Sequence, residues 1–245
     1  MADINILETN DFTTAGEFYI GLNNNEATLL SDEITYRERD TLEALLGDKL
    51  YNDFQTDLAI INDGTPTAQK WLDFVNGVTY IPQTNTDKTI NYKGCKDILK
   101  SFVFFYYLRL SHIKRTGAGI KVINGENSEP VGMNLLNSIL SDKYNKGVDR
   151  YKSALVFLNE YKEYKATASN IVEAAGTYTI TINDTKYLAV GDIIKMGTSE
   201  LTVTIVTADT EITATGTIGL TTENDLVWFP FKDWVKNDID YLGLL

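Results

Sequence analysis

Between Ile90 and Arg115 the chain reads INYKGCKDILKSFVFFYYLRLSHIKR, and no other stretch limits the possible folds as strongly. Cys95, Leu99, Phe102, Tyr106, Leu110 and Ile113 recur at three- and four-residue steps, which stacks them along one helical stripe. Ile98, Val103, Phe105, Tyr107 and Leu108 fall outside that stripe, so the middle is apolar on every side. A helix of this kind is enclosed by other elements. The spacing therefore predicts a central helix running from Ile90 to Arg115. Its uninterrupted apolar run, Phe102 to Leu108, is bounded by Ser101 and Arg109 and falls far short of the roughly 20 residues that span a bilayer. A wide aromatic face is also the kind found at permanent subunit interfaces.

The remaining pattern is helical on both sides. From Asn24, Leu30, Ile34, Thr41, Leu42 and Leu45 lie on one side; Gly47 ends that helix, and a second carries Leu50, Tyr51, Phe54 and Leu58. Asn62 to Pro66 is a turn that sets Pro66 at the first position of a short helix with Trp71, Leu72 and Val75 inward. The first 21 residues read as irregular or edge structure, with an arm as the alternative. After Arg115, Gly117 suits a helix C-cap and Asn124-Gly125 a hairpin turn. A long helix is predicted from Met133 to Lys165, with Gly147 its weak point.

At Ala166 the composition changes. Residues 166–227 hold 15 Thr, no Pro and only two aromatics, and TYTITI, ELTVTIV and TEITATG alternate with a period of two. Tyr187 to Ile194 reads as strand, tight turn and strand. Helix-compatible aromatic sequence returns at Trp228, Phe231 and Trp234, which are expected to anchor the helical part. The expectation is thus an α+β chain: a mainly α-helical bundle with a long helix (1–165 and 228–245) carrying a small inserted all-β domain (166–227), an SH3-like barrel or sandwich.

The totals narrow the chemistry. A formal charge of -12 argues against general nucleic-acid binding, which draws affinity from a basic face. One cysteine, Cys95, permits no internal disulfide. The first residues carry no basic n-region or apolar h-region, so the chain is expected to be made and assembled in a reducing cytosol, with no membrane contact. His112 is the sole histidine, and its neighbour Ser111 does not face it on a helix. One His and one Cys do not make a zinc site, and Gly117-Ala118-Gly119 lacks the rest of a phosphate-binding loop. No catalytic residue, metal or cofactor is expected, and the chain reads as no enzyme. One charge feature stands apart: from Lys93 to Lys121 there are seven basic residues and one acid, Asp97. Lys93, Lys96 and Lys100 crowd the positive end of the central helix, and Asp53 and Asp57 are the expected counter-charges within the chain. Lys114 and Arg115 suit the helix's negative end. The apolar close of the chain, Tyr241, Leu242, Leu244 and Leu245, is the kind of end that docks on something.

Several segments in order carry a resemblance: Glu17-Phe18-Tyr19-Ile20, Leu45-Leu46-Gly47-Asp48-Lys49-Leu50-Tyr51, Trp71 to Tyr80, Tyr92-Lys93-Gly94-Cys95-Lys96, Phe102 to Leu108, and Thr116-Gly117-Ala118-Gly119-Ile120. Over about residues 12–165 and the closing aromatic segment, the chain resembles the head-completion, or head-to-tail connector, proteins of tailed bacteriophages, including crAss-like and other Bacteroidota phages. The resemblance implies a virion protein at the head–tail junction, assembled in the host cytoplasm. It implies a homo-oligomeric ring, commonly a dodecamer, beneath the portal protein. Such a ring extends the channel for DNA that passes without sequence-specific contact, and gives further tail or ring proteins a docking platform. Lys93, Lys96, Lys100, Tyr241, Leu242, Leu244 and Leu245 are the candidate subunit or partner contacts. The competing class is a binding module for a host-surface or virion ligand, its β domain carried on a helical stalk.

Overall fold

A computed structural model describes residues 3–21, 24–83, 85–111, 113–116, 119–122, 133–182, 184–208, 210–218 and 225–237. The chain divides into two compact units. The first holds residues 1–67, 71–156 and 235–245, and the second 68–70 and 157–234.

In the first unit, α1 (Asn10–Thr13) precedes α2 (Asn24–Ile61). At Gly47 the backbone takes φ 75° and ψ 160°, so α2 is two helices joined at a kink. Leu30, Ile34, Leu42 and Leu45 before it and Leu50, Phe54 and Leu58 after it are buried. The helix α3 (Gln69–Asn76) starts three residues after Pro66, and it buries Trp71, Phe74 and Val75 rather than Leu72. Next come the hairpin β1 (Val78–Tyr80) and β2 (Ile90–Tyr92), then α4 (Lys96–Ser111). A second hairpin, β3 (Ile113–Thr116) and β4 (Gly119–Val122), leads to α5 (Met133–Glu160).

The central helix is shorter at both ends than its apolar spacing implied. Gly94 sits at φ +87°, where a Cβ would stand 2.3 Å from the Val75 carbonyl oxygen. Only glycine fits there, and no α-helix contains that φ. Ile90 is consequently a strand residue paired with Tyr80, and Ile113 pairs with Val122. Lys114 and Arg115 therefore belong to β3, not to a helix end. The enclosure is real: Ile98, Leu99, Phe102, Val103, Phe104, Phe105 and Tyr107 are all buried. Gly147 does not break α5; a Cβ there would stand 2.9 Å from Ser101 Cβ, so the glycine lets α5 approach α4. The α5 helix ends at Glu160, short of Lys165. Residues 3–21 are largely irregular, as expected, apart from the short α1, but they do not stand off as an arm, since Ile6, Leu7, Phe12, Phe18 and Ile20 are buried. The first hairpin connection after Ser111 falls between Thr116 and Gly119; the expected turn at Asn124-Gly125 lies outside the described residues.

The second unit is built on β5 (Tyr164–Ala174), β6 (Thr177–Ile182), β7 (Ile193–Met196), β8 (Ser199–Thr207), β9 (Glu211–Gly216) and β10 (Asp225–Trp228). They close an antiparallel barrel in the order β10-β5-β6-β9-β8-β7. The period-two pattern sends Tyr178, Ile180 and Ile182 inward from β6, to meet Ile194, Val203, Ile212 and Leu226. Ala175 (φ 53°) and Gly176 (φ 77°) join β5 to β6 as a two-residue loop with both φ positive, the turn whose twist matches flanking strands. Closure by β10 against both β5 and β7 leaves the barrel no free edge. Residues 187–190 are turn and loop, not the expected strand, and Tyr187 takes φ 60°.

A mainly helical bundle with a small β insertion is therefore not what forms. Among the described residues helix and strand both contribute heavily, and the closed six-stranded barrel is a principal element beside one long helix. Apolar spacing concealed the hairpin strands, because three-residue strands are too short to display a period of two. Trp228, Phe231 and Trp234, expected as anchors of the helical part, lie in the barrel unit. Trp228 packs on Tyr164 at 5.0 Å between ring centroids, and Phe231 on Phe157 at 6.0 Å.

Candidate interaction site

The expected contact residues separate in the structure. Tyr241, Leu242, Leu244 and Leu245 lie outside the described residues, as does His112. Lys93 is exposed and makes no ion pair among the described residues. Lys96 and Lys100, one helical turn apart at the start of α4, border a cleft of about 500 Å³ with Asn5, Asp11, Asp63 and Gly64.

Lys100 Nζ meets Asp11 Oδ1 at 2.8 Å. Burial would raise the Asp11 carboxyl, but the Lys100 bond, the Glu8 N–H and the charges of Lys100 and Lys96 together hold it below the usual carboxylate range. Glu38 of α2 is 2% exposed. It accepts the Ile6 N–H at 2.6 Å and the Leu7 N–H at 3.1 Å. Burial pushes its carboxyl up to about 7, although those two amides and the Lys96 charge pull the other way. The acids facing the lysines are thus Asp11 and Glu38. Asp53 is exposed, and Asp57 instead accepts the backbone N–H and the hydroxyl of Thr67, both at 2.7 Å.

These contacts form one end of a larger fastening. Gln55 both accepts from Ile4 N and donates to Ile4 O, at 2.9 and 3.2 Å, and Asp3 pairs with Arg39 at 3.4 Å. At the other end Glu17 meets Lys143 and Arg150 at 3.0 Å each and Lys146 at 3.6 Å. Burial opposes its charge, yet the bonds from Lys143 and Arg150 outweigh that and bring the Glu17 carboxyl down to about 2. Phe18 packs edge-on against Phe104 and lies under the Lys143 and Arg150 cations. The segment from Asp3 to Ile20 therefore ties α2, α4 and α5 together. Sequence reading missed this role. The available signal was Lys143, Lys146 and Arg150 at three- and four-residue steps on one helical face, opposite a lone Glu-Phe pair.

Chemically, these groups neutralise one another through the ion pairs above. Cys95 is fully buried, and burial together with the Glu38 charge pushes its thiol well above its ordinary value. Ser111 donates to the Leu108 carbonyl within its own helix. Among the described residues no group of three or more His, Cys, Asp or Glu side chains is placed to hold a metal, and no helix is long and apolar enough to cross a membrane.

No curated protein and no solved structure matches the chain. The model of a family of unknown function, DUF6712, matches residues 42–174, from the end of α2's first half through β5. That covers α4 and its lysines but neither the Asp3–Ile20 fastening nor most of the barrel. With more than half of its length matched, the chain belongs to the family DUF6712.

Proposed function

We propose that this chain is a structural protein of a tailed-bacteriophage virion. It forms a head-to-tail connector ring beneath the portal, extends the DNA channel and gives tail components a platform. The ordered series of segments from Glu17 to Ile120 that resembles connector proteins is one support. The observation that carries the reading is where the clustered charge goes. Lys100, Lys143, Lys146 and Arg150 are joined to carboxylates that fasten the chain to itself, an investment in rigidity that suits a load-transmitting assembly part. On this reading the ring has twelve copies, is assembled in the host cytoplasm and sits at the head–tail junction of the virion. Its partners are itself, the portal and other tail or ring proteins, and DNA passes without sequence-specific contact. It performs no catalysis.

Electron microscopy of the purified protein tests this directly. Rings with a central pore are expected; discrete single copies at all concentrations would overturn it. A second reading, a binding module for a host-surface or virion ligand, draws on the closed barrel, whose exposed Val190, Ile193 and Ile205 are available to a partner. Single copies that bind a surface ligand through the barrel would favour it.

A further inference from the structure

The last described residue, Asn237, lines a pocket of about 200 Å³ in the first unit. Its side-chain amide donates to the Ala44 carbonyl at 2.9 Å, and its own carbonyl accepts the Tyr151 hydroxyl at 3.2 Å. Ala44 lies three residues before the break at Gly47. A helix leaves its last four carbonyls without intrahelical partners, so Asn237 brings a donor where the kinked helix is short of one. The other walls are aromatic: Phe102 and Tyr106 from α4, Tyr144 and Tyr151 from α5. Phe102 and Tyr144 meet edge-on with ring centroids 5.1 Å apart, and the Arg37 guanidinium lies 3.7 Å from the Tyr106 ring centroid. Arg37 is itself paired with Glu33 at 3.0 Å and Asp40 at 3.7 Å. The pocket therefore favours an apolar side chain over an ion, and an apolar cavity of about 150 Å³ already holds a benzene-sized group.

We infer that this aromatic pocket is the docking site of the segment that follows Asn237 in the same chain, residues 238–245 (DIDYLGLL), with Ile239 as the side chain that enters it. Alternate side chains of an extended segment point the same way, which groups Ile239 and Tyr241 with Asn237 and sets Asp238 and Asp240 on the opposite, solvent side. Residue 239 lies within about 7 Å of residue 237 along the chain, so the pocket is in reach without a loop. The two hydrogen bonds at Asn237 fix the point of departure, which keeps the entropic cost of docking small. The same segment from a second copy would bear the full cost of association at a site whose rim is already held by the pocket's own Asn237. Docking within one chain is independent of ring formation.

Amide hydrogen exchange of the full-length protein, read by mass spectrometry on peptides spanning residues 235–245, tests this. In the wild type the amides of residues 239–242 are expected to exchange at least about tenfold more slowly than in an unstructured chain. Ile239→Asp/Tyr241→Asp is expected to remove that protection and to leave the thermal melt cooperative. Thr41→Trp, which fills the pocket from α2, is expected to remove it as well; if that variant does not fold, Thr41→Leu takes its place. Co-expression of the pocket-filling chain with the Ile239→Asp/Tyr241→Asp chain is expected to restore nothing. Absence of protection in the wild type overturns the inference. Protection that survives in the folded pocket-filling variant assigns the segment to another surface, and protection restored in the co-expressed pair assigns it to a second copy. Either of these results overturns it too, and none of them bears on whether rings form.

Discussion

Glu38 accepts two backbone hydrogen bonds from a position almost closed to water, which couples its protonation to folding. Lys96 and Asp11 face it across the fastening, and the Tyr51 hydroxyl and Cys95 thiol complete its titratable surroundings. Its folded carboxyl sits at about 7 against an ordinary value of 4.5. Between those values the folded state holds the proton and the unfolded state does not, so stability falls as pH rises through that window. The full span corresponds to a loss on the order of 3 kcal/mol. Urea unfolding midpoints are expected to drop from pH 5 to pH 7.5 in the wild type and to stay level in Glu38→Gln. An equal slope in both proteins would assign the pH dependence elsewhere. Glu17 and Asp11 act in the opposite direction. The lowered Glu17 carboxyl contributes stability present above about 4.5 and lost as pH falls toward about 2, and the Asp11 carboxyl, also held below its ordinary range, contributes in the same direction. Glu17→Gln is therefore expected to reduce the loss of stability on acidification below pH 4.5 while weakening the protein at neutral pH, and both arms are readable by the same unfolding series. None of this was visible residue by residue. Glu38 sits among charged residues on an amphipathic helix, and only the return of Ile6 and Leu7 across α2 buries it.

At the scale of elements, the close approach of α5 to α4 at Gly147 makes an opposed pair of effects measurable. Alanine is favoured over glycine in a helix by about 1 kcal/mol. Here its Cβ would meet Ser101 Cβ at 2.9 Å and the Phe102 ring at 3.1 Å, and overpacking of this sort costs about 1–3 kcal/mol. Gly147→Ala is expected to destabilise despite its helix propensity. A stabilised variant in chemical denaturation would mean that the two helices yield at that point. Helix identity was legible from periodicity alone, as was the break at Gly47, because an apolar face must recur every three to four residues to be buried. Element ends were less legible. Ile113 continues the helical spacing of α4, yet its pairing with Val122 claims it for a strand, and Ile90, before Gly94, pairs with Tyr80.

For the whole molecule, the barrel extends beyond the Thr-rich stretch that announced it. Tyr161 stacks on Tyr164 with ring planes 13° apart, Tyr164 meets Trp228, and the Trp228 indole N–H donates to the Lys186 carbonyl at 3.0 Å. Removing residues 166–227 would strand Tyr161, Tyr164, Trp228 and Phe231 without the strands they cover. Removing 157–234 would take them along. Joined by a short Gly/Ser linker, the second deletion is expected to retain a cooperative helical melt, and the first to bind a hydrophobic dye more strongly. Equal dye binding by both would place the aromatic cluster outside the barrel's folding unit. What the sequence alone determined was the set of local preferences: an α4 buried along its middle, a kinked α2, a long α5, and strands wherever Thr alternated with Val or Ile. These follow from side-chain spacing and backbone sterics, which act within a few residues. Tertiary structure alone decided that the segment from Asp3 to Ile20 binds three helices, that Glu38 is buried, that Lys100 pairs with Asp11, and that β10 closes a barrel with β5 and β7. Each depends on groups tens of residues apart in the chain, and their meeting is selected by burial and charge neutralisation summed over the whole fold, for which no local pattern exists to be read.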